Sequence, residues 1–183
     1  MLEKLQESRT LEHDMALAIV NKEFVVYYQP IVDSFSQEIY SYEALIRWLH
    51  PLKGLLSPDS FIPVAEKTGM INEMGKAVLE IACREAAGWA VPAKISVNVS
   101  PVQLSSKAFA GIVLTILKET GLPPDRLELE VTESSLFTES ATPINTLNKL
   151  RALGVKISID DFGTGYSSLS RLSRLAFDKI KID

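Results

Sequence analysis

A parallel β/α barrel of the α/β class is the fold this sequence predicts, on two observations. Strand-like segments alternate with polar turns and helical patterns, most of them closed by glycine. Five of those strand segments also carry polar residues at every second position. Residues two apart on a strand share a face, so five strands turn polar groups the same way. An antiparallel sheet with one wet face gives the same alternation, but the intervening helices oppose it. An open doubly wound sheet is the second choice, because its strands usually read as continuous apolar runs. A closed barrel accommodates both observations: its outer face lies under helices, and its inner face can become polar towards the end that carries the loops.

The elements follow in order. Leu2 to Asn21 places Leu2, Leu5, Leu11, Met15, Ala18 and Ile19 at helical spacing among charges, so residues 1–22 are read as an amphipathic helix leading into a domain over 23–183. Phe24 to Ile31 and Glu38 to Leu49 are the first two strands. In the second, Ser41, Glu43 and Arg47 share a face interrupted by Leu45, while Tyr40, Tyr42, Ala44, Ile46 and Trp48 face the helices. Lys94 to Val99 sets Ser96 and Asn98 against Ile95, Val97 and Val99, and Leu127 to Val131 sets Glu128 and Glu130 against Leu127, Leu129 and Val131. Val155 to Asp160 aligns Lys156, Ser158 and Asp160, and Asp178 to Ile182 opens a face shared by Lys179, Lys181 and Asp183. The helical patterns before these later strands end near Gly88, Gly121, Gly154 and, without glycine, Ala176.

Composition narrows the function. The chain has 183 residues, 46% hydrophobic, which suits one folded domain. With 19 Lys and Arg against 23 Asp and Glu, the formal charge of −4 offers no broad basic surface for a nucleic-acid polymer. The single cysteine, Cys83, falls in the helical run Ala77 to Trp89; a reducing, cytoplasmic compartment is expected. No apolar run approaches the roughly 20 residues of a membrane span, so no membrane contact is expected of this chain, although a parent protein could be tethered to the inner membrane.

Glu43, Asn98, Glu130 and Asp160 stand late on the polar face of four different strands, where a parallel barrel brings them to one rim. Carboxylates gathered this way repel one another unless a cation neutralises them, and an all-oxygen set with one amide favours Mg²⁺, Mn²⁺ or Ca²⁺. Zinc fits poorly, since CxxC and HExxH are absent and His13 and His50 each read as surface or capping residues. Asp160 and Asp161, as strand neighbours, point apart unless the strand ends between them; then Asp161 swings to the same rim and a two-metal clamp for phosphoryl displacement becomes possible. A merely capped turn over DDFGTG is the plain alternative. Lys181 can orient water or hold a phosphate oxygen, Arg47 can fork onto a phosphate or pair with Glu43, and Glu133 can brace the glycine-rich loop or cap a helix.

These residues sit in segments that resemble a known family. Glu43-Ala44-Leu45 within YEALIRW resembles the motif that names the EAL domains, the cyclic-di-GMP phosphodiesterases of bacterial signalling. YYQPIV, FIPVAEKTG, SVNVSP, ELEVTES, DDFGTGYSSL and KIKID follow in family order across most of the chain. The resemblance implies a TIM-like (β/α)8 barrel with an antiparallel first strand, of which this chain covers about six strands. It implies hydrolysis of cyclic-di-GMP to linear pGpG with Mg²⁺ or Mn²⁺, two ions per intact site. By motif, Glu43, Asn98, Glu130 and Asp160 resemble ligands of the first ion, with Asp160 bridging and Asp161 on the second. Lys181 resembles the lysine at the attacking water, and Gln29, Leu45, Arg47 and Asp183 resemble substrate-lining positions. Glu133 resembles the glutamate that steadies the loop after the fifth strand, a loop that often joins homodimer contacts. Sensor or GGDEF domains can be attached in a parent protein.

The departure from the family is at the end, for the chain stops at Asp183 on the sixth strand whereas an eight-stranded barrel needs roughly 250 residues. A later glutamate for the second ion and a later glutamine near the substrate go with the two absent units. The alternative functions are therefore a module that binds cyclic-di-GMP without cutting it, or a dimerising scaffold built on the loop Gly163 to Ser168.

Overall fold

The computed structural model describes residues 2–136, 140–161 and 177–181. Helix α1 (Leu2–Asn21) leads into strand β1 (Phe24–Val32), which pairs antiparallel with β2 (Ile39–His50) in a register that sets Gln29 opposite Glu43 and Tyr27 opposite Leu45. A short strand, β3 (Gly54–Leu56), folds back on the far end of β2. Then come α2 (Pro58–Thr68), α3 (Ile71–Ala87), β4 (Lys94–Val99), α4 (Pro101–Leu104), α5 (Phe109–Thr120), β5 (Leu127–Thr132), α6 (Glu133–Leu136), α7 (Thr142–Ala152), β6 (Lys156–Asp160) and β7 (Lys179–Ile180). The sheet runs β1-β2-β4-β5-β6-β7, parallel from β2 onward. This is a partial TIM-like barrel, with its first strand reversed as the resemblance implies.

The alternation seen in the sequence sorts the two faces. Ile95, Val97, Val99, Leu127, Leu129, Val131, Ile157 and Ile159 are all buried outward, in one core with α3, α5 and α7. Inward, Ser41, Ser96, Glu128, Glu130 and Ser158 are buried as well, so the polar face is an interior rather than a wetted surface. A second, smaller core joins Met15 and Ala18 of α1 to Phe24, Trp48, Phe61, Ala65, Ile71 and Met74. It seats α1 and α2 over the end of β2.

Most strand limits differ from expectation by one residue, but two elements and one residue differ for physical reasons. Helix α3 begins at Ile71, well before Ala77, because it runs through Gly75. Glycine weakens a helix by about 1 kcal/mol, yet the buried Gln103 side chain lies where a Cβ of residue 75 would be, so packing demands it. Strand β3, only three residues long, has no counterpart among the strands expected from the sequence. His50 is no surface residue: it is buried, its Nε2 lies 3.1 Å from Asp14, and its Nδ1 accepts the Leu52 and Lys53 backbone N–H groups, closing the β2–β3 turn. The helical pattern ending near Ala176, the loop Gly163 to Ser168 and Asp183 lie outside the described residues.

Candidate active site

Asn98, Glu130 and Asp160 stand at or next to the carboxyl ends of β4, β5 and β6, Glu43 stands in the stretch of β2 that pairs with β4, and the parallel register places all four in one rim. Asn98 pairs across the ladder with Glu130, and Thr132, the next inward residue of β5, pairs with Asp160. The Asn98 amide donates to Glu43 Oε1 at 2.9 Å. Lys181, just past β7, closes the group: its ammonium donates to Glu130 Oε2 at 2.7 Å and Glu43 Oε2 at 3.1 Å, and stands 3.6 Å from Asp160 Oδ2. Residues 138 positions apart in sequence thus share one ion pair.

Electrostatics follow from this crowding. Burial pushes the Glu130 carboxyl up, and the neighbouring Glu43 and Asp160 charges add to that, against the Lys181 hydrogen bond. Burial disfavours the Lys181 charge, but hydrogen bonds to Glu130 and Glu43 outweigh it and hold the ammonium above the ordinary lysine range. Three carboxylates face one ammonium, so formal negative charge is left over at the rim. The buried Glu130 Oε1 has no hydrogen-bond partner among the described residues, which is costly for a carboxylate oxygen unless a cation or donor meets it. Among the described residues, no three acidic, histidine or cysteine side chains are arranged as a metal site; as placed, they converge on Lys181.

β6 ends at Asp160, and Asp161 follows in the left-handed region at φ 55° with its N–H donated to Asp160 Oδ1. The break in the strand on which the sequence argument depended is therefore present, in a left-handed conformation that aspartate adopts more readily than most residues. Glu133 is buried at the start of α6. Arg47 turns its guanidinium to the Ile46 carbonyl at 2.8 Å and over the Tyr27 ring, 5.8 Å from its centre. Gln29 and Leu45 stand on the same two strands, and a cavity of about 280 Å³ beside the rim is lined by Leu45, Ile62, Glu66, Met74, Asn98 and Glu130. Two features escaped the sequence reading. Below the rim, Lys179 pairs with the buried Glu128 at 3.0 Å, and Ser96 also donates to that carboxylate. Beside it, Glu66 of α2 accepts the Ser100 hydroxyl at 2.6 Å; the segment FIPVAEKTG was the only signal that could have pointed there.

Fold and site define a β/α-barrel protein with an acidic, oxygen-lined centre at its strand ends. The chain belongs to the EAL domain family, whose match spans residues 12–183. An uncharacterized signaling protein of Caulobacter vibrioides is 48% identical over 183 residues, covering 100% of this chain and 23% of that protein. The bifunctional diguanylate cyclase/cyclic di-GMP phosphodiesterase MucR of Pseudomonas aeruginosa is 42% identical over 182 residues, covering 97% of this chain and 27% of MucR. The solved PaMucR phosphodiesterase in complex with c-di-GMP superposes with a TM-score of 0.89 at 42% identity, over 95% of this chain and 72% of that one. This chain spans about a quarter of the length of these two curated relatives.

Proposed function

We propose that this site hydrolyses a phosphodiester bond of cyclic-di-GMP to give linear pGpG, using Mg²⁺ or Mn²⁺, with two ions per intact site. The observation that carries the reading is the convergence of Glu43, Glu130 and Asp160 on Lys181, beside the Asn98 amide. The donor set fits a hard divalent ion: every candidate atom is oxygen, negative charge is in excess, and Glu130 Oε1 lacks a partner among the described residues. Glu43, Asn98, Glu130 and Asp160 would hold the first ion, and Asp161 would serve the second from its left-handed turn. Bound ions supply charge neutralisation at the phosphate and a more acidic attacking water.

The chain's own residues do the rest. Lys181 keeps its proton and uses it to orient the attacking water. Arg47 offers a guanidinium to a phosphate, already held in place by Tyr27 and the Ile46 carbonyl. Gln29, Leu45 and Asp183 line the nucleotide, and Glu133 steadies the loop that follows β6. That loop is also where a homodimer would form. A cyclase of the GGDEF type or a sensor is the natural attached domain, in keeping with the name of MucR.

Replacing one ligand separates cutting from holding. Glu43→Ala is expected to lower kcat by at least about a hundredfold, roughly 2.7 kcal/mol of transition-state stabilisation, while calorimetry still detects cyclic-di-GMP. Unchanged turnover would remove Glu43 from the site, and a wild-type chain that binds without releasing product would make it a binding module.

A further inference from the structure

The Asn98 amide meets Glu43, yet it stands next to the end of β4, where β4 still pairs with β5 but its pairing with β2 has stopped at Val97. Further constraint comes from the residues just after it. Ser100 caps α4: its Oγ accepts the Val102 N–H at 3.2 Å, and its own N–H donates to Gln103 Oε1 at 3.1 Å, a reciprocal capping box. Gln103 is itself buried against α3, at Gly75, where a Cβ has no room. The Ser100 hydroxyl proton goes to Glu66 Oε1 at 2.6 Å, a short bond of the charge-assisted kind. Glu66 rides on α2, whose Phe61 and Ala65 are buried in the smaller core. Three helices are thereby tied to Ser100, two residues after Asn98.

We propose that Glu66 is a positioning residue: by holding Ser100, it sets the end of β4 so that the Asn98 amide donates to Glu43 and turns its carbonyl oxygen to a divalent ion. This rests on the metal-dependent reading of the site. Glu66 touches neither the ion nor the reacting phosphate; it acts through Ser100 and the backbone. A hydrogen-bond acceptor is what the role requires, since the donor is a neutral hydroxyl, so glutamine can serve in its place and alanine cannot.

The test is Mn²⁺ affinity, measured by calorimetry on the 183-residue chain without substrate, in the wild type, Glu66→Ala, Glu66→Gln and Asn98→Ala proteins and the Glu66→Ala/Asn98→Ala double variant. Partners of metal ligands typically change affinity by 10–100-fold. Glu66→Ala is expected to weaken Mn²⁺ binding about tenfold, Glu66→Gln to restore it to within about threefold, and Glu66→Ala to add nothing once Asn98 is alanine. Ser100→Ala should reproduce the Glu66→Ala loss, and thermal melts confine the comparison to folded protein. Affinity unchanged in Glu66→Ala, or the same loss with and without Asn98, overturns the proposal. A wild type that binds Mn²⁺ but releases no linear product sinks the hydrolase reading alone, while one that binds no Mn²⁺ overturns both.

Discussion

Lys181 shows how a single residue changes meaning between sequence and structure. In the sequence it is one of two lysines alternating on a short strand, and a surface role was as natural as a catalytic one. In the fold it is the sole ammonium among the described residues that reaches Glu43, Glu130 and Asp160 together. Removing one partner of a buried pair leaves the other charge uncompensated, which typically costs about 3–5 kcal/mol. Because Lys181 is a quarter exposed, Lys181→Met is expected near the lower end, about 3 kcal/mol, by denaturant unfolding at pH 7. The loss should shrink as pH falls, because Glu130 already has its carboxyl pushed up by burial and, once protonated, needs no partner. A loss independent of pH would contradict the pairing. The acidic residues were legible because period-two alternation assigns each to a face. Lys181 was a candidate by the same alternation, but its pairing with three carboxylates was not legible, because nothing local to residue 181 records which strand ends surround it.

Among the elements, β7 is the least supported by its own length, with two ladder residues, yet it delivers Lys181. Asp178 seats it. Its N–H donates to the Ile157 carbonyl at 2.8 Å, and its carboxylate accepts the Ile157 N–H at 3.1 Å and Lys156 Nζ at 3.2 Å, with Arg151 close by. Burial opposes the Asp178 charge, but these bonds outweigh it and hold the carboxyl below the usual range. A depressed folded pKa means stability that is present above the unfolded value, about 3.9, and lost as pH falls through the folded one. Asp178→Asn should therefore cost about 1 kcal/mol near neutrality, with the gap to wild type closing below about pH 4; a constant gap would mean that the carboxylate charge plays no part. Strands β4 to β6 were legible nearly to the residue, since their apolar face and glycine-closed helices leave one reading. Helix α3 starts ahead of the expected run from Ala77, for a glycine is a poor helix residue and nothing near Gly75 in the sequence shows that Gln103 fills the place of its side chain. The three-residue β3 carries too little pattern to register at all.

At the scale of the whole molecule, the outer core runs unbroken from α3 through α5 to α7, and Cys83 lies within it. Burial pushes its thiol up to about 12, so thiolate is scarce and the sulfur is shielded. Iodoacetamide at pH 8 is expected to leave Cys83 unmodified in the folded chain and to label it at the rate of unfolding; fast labelling would mean that α3 is not packed as described. The reversed first strand came from family likeness, since alternation alone gives no strand direction; pairing of Gln29 with Glu43 across that strand is what brings both to one rim. Smaller core and capping network then connect α1 and α2 to the same rim, which no single segment of sequence discloses. All of this converges on one claim, that an acidic barrel mouth cuts a cyclic dinucleotide with a divalent ion. The most direct measurement is chromatography of cyclic-di-GMP incubated with the chain, with Mn²⁺ and with chelator. Linear pGpG appearing with Mn²⁺ and vanishing with chelator is the predicted result; cyclic-di-GMP recovered intact under both conditions would contradict it.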